Sequence, residues 1–278
     1  MPHKMKKPVP NAPPKGISRR VPRLVTSVPA VISAPGVYCL SSDLSLATAT
    51  GVALRIEAND VVLDLNGFTL SGKAAGPAST VDAIQAGSRS GLIIRNGTIT
   101  GFYRGVVIQG TSSHACLIER LLLYDLTYEG IRAEGWGHII RGNRLLNITG
   151  NPDAAAGGNG GSAAIGVYGA ANAVLDNDVA DVYGVHGGEY VYFGTGINLN
   201  ASTQSIVENN RLINRTFEMN SYGIFVGESP DVLVIGNRMI SWDMGVSYVG
   251  ASTGAYRDNL CQACQRPYSG GTDAGRNQ

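Results

Sequence analysis

Three stretches of the chain hold the side chains that could do chemistry. Residues 183–193 read Tyr-Gly-Val-His-Gly-Gly-Glu-Tyr-Val-Tyr-Phe, which gathers Tyr183, Tyr190, Tyr192 and Phe193 around His186 and Glu189. Residues 215–222 add Arg215, Phe217, Glu218 and Tyr222. Asp153 precedes a small, flexible run of Ala and Gly. His186, Glu189, Arg215 and Glu218 are the catalytic candidates. A base beside an acidic C–H, with a cation at the neighbouring carboxylate, would serve elimination or epimerisation of a sugar acid, and His186, a Tyr or Arg215 could be that base. Glycoside hydrolysis instead needs two carboxyls about 5–9.5 Å apart. Glu189 and Glu218 are the pair for that, with Asp153 or Asp243 as substitutes. Tyr183, Tyr190, Tyr192, Tyr222 and Asp153 are the substrate-binding candidates, because aromatic faces carry sugar rings and acids bond hydroxyls. The competing reading is that the aromatics merely anchor their loops.

Other chemistries find little support. No nucleophile elbow, phosphate-binding loop or zinc-protease signature occurs. Cys261 and Cys264 lack the second pair that zinc requires, so they read as a local disulfide or two free thiols, and Cys39 and Cys116 as small core residues. No metal-ligand set is assigned and no cofactor is firmly implied; calcium stays open as an aid to sugar-acid chemistry.

The formal charge of +1 conceals a split. Residues 1–24 hold seven of the 22 bases and no acid, leaving 15 bases against 21 acids in the body. A nucleic-acid partner for the body is therefore not expected. Residues 1–24, rich in proline, read as an extended basic arm. No apolar run reaches the length of a membrane span and no secretory signal is visible, so membrane partners are not expected and the location is unassigned.

What must position these residues is a repeat. An apolar pair, a polar step, Asn and a further apolar residue recur: Val62–Phe68, Ile93–Ile99, Ile139–Leu145, Val174–Val179, Ile206–Leu212, Val234–Met239, Tyr256–Cys261. Leu117–Leu121 repeats the phrase with Leu121 in the Asn place. A second phrase alternates with it: Gly105-Val106, Gly130-Ile131, Ala164-Ile165, Gly196-Ile197, Gly223-Ile224, Gly245-Val246. Short β-branched segments bounded by Gly, Asn and Asp, without helices between, suit a solenoid of stacked parallel strands. The Asn column, and a second polar column at Asp125, Asn147, Asp181, Asn214 and Ser241, read as structural. From the Asn register to the next Gly-Ile/Val phrase the plain coils need 9 or 10 residues, but the coils starting at Asn143, Asn177 and Asn210 need 22, 20 and 14. Insertions near 150–163, 183–195 and 214–222 thus share one register and should stack into one lobe. Binding loops on rigid scaffolds concentrate in such places.

These phrases, with Ala34-Pro35-Gly36-Val37-Tyr38-Cys39-Leu40 before them and Pro267–Gly275 after, resemble the right-handed parallel β-helix repeat proteins of the pectate-lyase-like superfamily. The resemblance covers about residues 28–275. It implies an all-β, single-domain right-handed solenoid of three parallel sheets, about seven to nine coils over residues 25–268, with 28–50 and about 261–268 covering the ends and 269–278 as a tail. It also implies a poly- or oligosaccharide partner. Tyr183-Gly184-Val185-His186 is faintly similar to a mannuronan epimerase segment but lacks its Asp-Pro. The calcium-binding Asp clusters of pectate lyases and the motifs of polygalacturonases are missing. A carbohydrate-active protein is therefore expected, a polysaccharide lyase, epimerase or hydrolase acting at the 150–222 lobe. The alternative is a non-catalytic glycan-binding or structural module, surface- or virion spike-like, and a trimer in the spike case. Fold alone does not choose.

Overall fold

A computed structural model describes residues 21–153, 161–187, 190, 191 and 193–278; for 186, 187, 190 and 191 it describes the backbone alone. Nearly every described element is a short parallel strand, and one helical turn, Lys73–Ala75, interrupts them. Ten strands form one sheet, from Ala30–Ile32 to Arg266–Ser269. The other large sheet has eighteen strands and consists of two ladders. They are fused because Ile93–Thr100 and Leu117–Leu126 run through a corner at which the other coils break. The coil therefore has three sides, and successive coils close one core.

That core is a set of aliphatic stacks. Ile84, Val106, Ile131, Ile165, Ile197, Ile224 and Val246 lie in register on neighbouring strands, and all are fully buried. Burial of this kind supplies most of the driving force, roughly 25 cal/mol per Å² of apolar surface. The glycine before five of these residues, Val106, Ile131, Ile197, Ile224 and Val246, is dictated by space. At Gly130 an added Cβ would lie 2.4 Å from Leu145 Cδ2 and 2.5 Å from the Ala164 carbonyl oxygen.

The repeated Asn divides into two positions. Asn66, Asn96, Arg120, Gly142, Asp176, Asn209, Gly236 and Asp258 each turn the chain at φ between 53° and 66°, which Asn, Asp and Gly tolerate best. The next position points inward and holds Asn143, Asn177, Asn210, Asn237 and Asn259, all 1% exposed or less. Asn66 and Asn96 thus do not share the register of Asn143, as the sequence phrase suggested; they occupy the turn one step earlier. The inward amides form one chain. Asn177 Oδ1 accepts from both the N–H and the amide of Asn143 at 3.0 Å. Asn210, Asn237 and Asn259 repeat the arrangement, and Asn277 ends it. At the other end Leu121 only donates its N–H to Asn143.

Three boundaries differ from those expected. Residues 28–50 are not merely a cover but the first coil, since Ala30–Ile32 pairs with Leu54–Ile56 and Leu44–Ser45 with Leu70–Ser71. This coil brings the strands of the first sheet to ten. Residues 269–278 are not a tail: Thr272–Asp273 pairs with Ala255–Tyr256, and Asn277 completes the amide chain. The arm ends sooner, because Arg23–Val25 already pairs with Tyr38–Leu40. The rest of the arm, residues 1–20, lies outside the described residues. No helix among the described residues is long and apolar enough to cross a membrane.

Candidate functional site

The connections 150–161, 184–193 and 214–221 all lead into the ten-stranded sheet from the same ladder, so they share one corner. A fourth long connection, 72–81, joins them there. The sequence reading missed it because the strand that follows opens Asp82-Ala83-Ile84, without the glycine phrase. Lys73 therefore lies at the decorated corner.

Of the described candidates in the lobe, Tyr183 and Arg215 meet on Asp181, while Tyr222, Glu218 and Asp153 make separate contacts. The Tyr183 hydroxyl donates to Asp181 Oδ1 at 2.7 Å, and the Arg215 guanidinium binds the other oxygen. Tyr222 stands apart, edge-on between Phe193 and Phe225 at 5.9 and 5.2 Å. The Glu218 carbonyl accepts from Ser221, and its Oε2 is buried. The Asp153 N–H donates to Asn151 Oδ1. Asp243 is buried and faces Arg266. His186 and Tyr190 are described by backbone alone, in a two-residue antiparallel pairing. Glu189 and Tyr192 lie outside the described residues.

Burial would raise the Asp181 carboxyl, but the Arg215 N–H, the Tyr183 hydroxyl and the Arg215 guanidinium hold it below the usual range. Burial and the same contact push the Tyr183 phenol up to about 12. A depressed carboxylate stabilises the fold fully above its unfolded pKa and loses that contribution as pH falls through the folded value. Acidification below the ordinary aspartate range should therefore release the 214–221 connection before the coils open. Amide exchange read segment by segment at pH 7 and pH 3 checks this, and equal protection at both would refute it.

A better-formed site lies on the outer face of the ten-stranded sheet. On strand Glu129–Trp136 the core takes Ile131 and Ala133, so Arg132, Glu134 and Trp136 face outward. Arg132 reaches Glu129 at 3.1 Å and Glu134 at 2.7 Å, and its guanidinium sits 4.1 Å above the Tyr168 ring. The Tyr168 hydroxyl donates to Glu129 at 3.3 Å. Alongside, Arg104 grips Asp82 with two bonds. Burial pushes the Glu129 carboxyl up. Burial would also raise Glu134, but the Gly110 N–H and Arg132 bring it below the usual range. Burial pushes the Tyr168 phenol up as well. This network makes a rigid bed, and its charges are consumed within it.

Beside it opens a cleft of about 480 Å³, lined by Arg132, Glu134, Trp136, Tyr168, Ala201 and Thr203 among others. Trp136 is 51% exposed. His114 stacks beneath it, with centroids 4.6 Å apart and planes at 4°. Buried His138 donates from Nε2 to the Glu134 carbonyl and braces the strand end that carries Trp136; burial keeps its pKa low, in the neutral form that lets Nδ1 accept from the Cys116 N–H. A second hollow of about 200 Å³ continues on the same face between Phe193, Asn198, Tyr222 and Phe225. Asn198 joins the two, donating to the Tyr168 hydroxyl across 3.5 Å, while its buried Oδ1 has no hydrogen-bond partner among the described residues.

The sequence reading placed the site at the insertion lobe. The signal for the sheet face was the alternation Arg132-x-Glu134-x-Trp136, which on a strand puts all three on one side. Trp242, in contrast, does pack: it is fully buried and donates to the Leu212 carbonyl at 3.0 Å.

All four cysteines are free thiols. Cys39 is half-buried between inward Tyr38 and Leu40, so it is not the core residue its apolar neighbours suggested. A hydrogen bond within the pair lowers the Cys264 thiol to about 7 and raises that of Cys261. Among the described residues no three His, Cys, Asp or Glu side chains group as a metal site would need.

The fold defines a class. The family described as right handed beta helix region matches residues 82–266, and the chain belongs to that family. Three of the solved structures that share the fold illustrate it. One is the Dettilon tailspike protein (14% identity, 87% of this chain and 54% of that one, TM-score 0.55). Another is a pectate lyase (13%, 87% and 69%, 0.53). The third is a tailspike mutant of E. coli bacteriophage HK620 in complex with a pentasaccharide (12%, 87% and 57%, 0.51). The chain spans about half the length of the two tailspikes. No curated protein matches it in sequence.

Proposed function

We propose that this chain is a glycan-binding β-helix module whose ligand, a neutral oligosaccharide, lies along the outer face of the ten-stranded sheet. The half-exposed indole of Trp136, backed by His114 at the mouth of the larger cleft, carries the reading. A fixed aromatic face is what a sugar ring stacks on. Tyr168, Asn198, Tyr222 and Phe225 extend that surface across neighbouring strands. The HK620 tailspike supports it as a protein of the same fold that holds a pentasaccharide.

Two observations favour binding over cleavage, and a neutral ligand over an acidic one. Glu134, the carboxylate that lines the cleft, is held ionised, so it is not poised as a general acid. Arg132, the cation that lines it, already holds two carboxylates and offers little to a uronate. We therefore favour the module reading over a lyase, epimerase or hydrolase acting at the insertion lobe. Incubation with neutral and acidic polysaccharides, with and without calcium, tests it. Neutral glycans should be retained on the protein without new reducing ends or unsaturated uronate absorbance. Cleavage of any of them, lost on Glu218→Gln or Arg215→Ala, would return the function to the lobe.

A further inference from the structure

At the decorated corner, two long connections flank two short ones. The 72–81 connection and the start of the first insertion stand on either side of the tight links at 101–103 and 127–128. The long pair meet where buried Asn151 donates its side-chain amide to the Ser79 carbonyl, at 3.2 Å. Between them lies a notch of about 380 Å³ that plays no part in the sheet-face site.

Its polar groups are built rather than incidental. Lys73, the only lysine after residue 15, places Nζ 2.8 Å from Asp125 Oδ2 and 4.9 Å from the Tyr124 ring centre. Asn147 donates to the other oxygen, Asp125 Oδ1, at 2.7 Å. The ion pair is half-exposed, 52% and 40%, so it remains reachable. Thr127 also lines the notch, with its hydroxyl oxygen buried beneath the surface. Gly101 turns at φ 73°, and a Cβ there would lie 2.6 Å from the Lys73 backbone nitrogen, so this glycine lets the 72–81 connection sit close against the coil.

We propose that this notch is a second binding site, independent of the sheet face, which takes a single neutral, hydroxyl-rich sugar ring. An ammonium keeps donors free after one ion pair, and a carboxylate has about four acceptor positions, of which two are filled here. Side by side they match two adjacent hydroxyls, one donating to Asp125 and one accepting from Lys73, while exposed Asn147 reaches a further group. The pair is neutral as a whole, so it does not select for a charged sugar. The volume lies within the range of small-ligand pockets.

Calorimetric titration with glucose, galactose, mannose and N-acetylglucosamine, and with galacturonate as the acidic counterpart, tests this on the full chain. At least one neutral sugar should bind, survive Trp136→Ala, and lose at least tenfold in affinity in Lys73→Met and in Asp125→Asn. Asn at 125 keeps the left-handed turn, where φ is 54°, so a folded variant is expected, and circular dichroism verifies it. If Trp136→Ala removes all monosaccharide binding, the notch is overturned and the sheet-face reading stands. If oligosaccharide binding ignores Trp136 while monosaccharide binding follows Asp125, the notch stands and the sheet-face reading falls. Binding of galacturonate alone, or of no sugar, overturns the notch proposal.

Discussion

Trp136→Ala should weaken binding of a neutral oligosaccharide about thirtyfold, a loss of ~2 kcal/mol, while leaving the unfolding midpoint almost unchanged. The two effects separate because of where the indole stands. It is 51% exposed, with one face against His114 and the other toward the cleft, so truncation removes ligand contact and little core. Trp136→Phe should recover part of the affinity, since a smaller ring still stacks on His114. Titration calorimetry on the three proteins measures this. Unaltered affinity in Trp136→Ala would show that the ligand does not touch this end of the sheet.

The second large effect falls on stability. Asn210→Ala should cost about 3–5 kcal/mol, because several buried groups lose partners at once and each such loss costs roughly 1–3 kcal/mol. Oδ1 of Asn210 accepts two donors from Asn177, and its amide donates to the carbonyls of Val174 and Glu208 and to Asn237. Asn96→Ala is the contrast. Asn96 is an exposed turn residue at φ 61°, and the cost there is that of holding Ala left-handed, about 1–2 kcal/mol. Urea unfolding of both variants decides whether the two asparagine positions differ in kind. A solenoid can open coil by coil, so the comparison needs more than one spectroscopic probe. Equal costs would mean that the buried amide chain adds nothing beyond the turns.

The solenoid was legible because its causes are local and repeated. Short apolar strands, a turn residue and a glycine where backbones crowd recur too regularly to suit a helix or a sandwich. The shared corner of the three insertions was legible for the same reason, as a difference in spacing. The amide register was blurred at Asn66 and Asn96, since a turn asparagine and a buried asparagine look alike in a phrase whose offset slips by one. The sheet-face site stayed hidden because it is written across coils. Glu129, Arg132 and Tyr168 are 39 residues apart at their extremes and meet only through strand register. The Lys73 notch is harder still, since Lys73 and Asp125 are 52 residues apart. The lobe drew attention through composition, yet Arg215 and Tyr183 answer to Asp181, a contact that no local motif announces.

The most direct measurement is indole fluorescence during glycan titration. The chain has two tryptophans, and Trp242 is fully buried, so a ligand-induced change reports on Trp136. A neutral oligosaccharide should shift or quench the emission with the same midpoint that calorimetry gives, and Trp136→Phe should abolish the signal. Calorimetric binding with unchanged indole emission would contradict a ligand lying along the ten-stranded face.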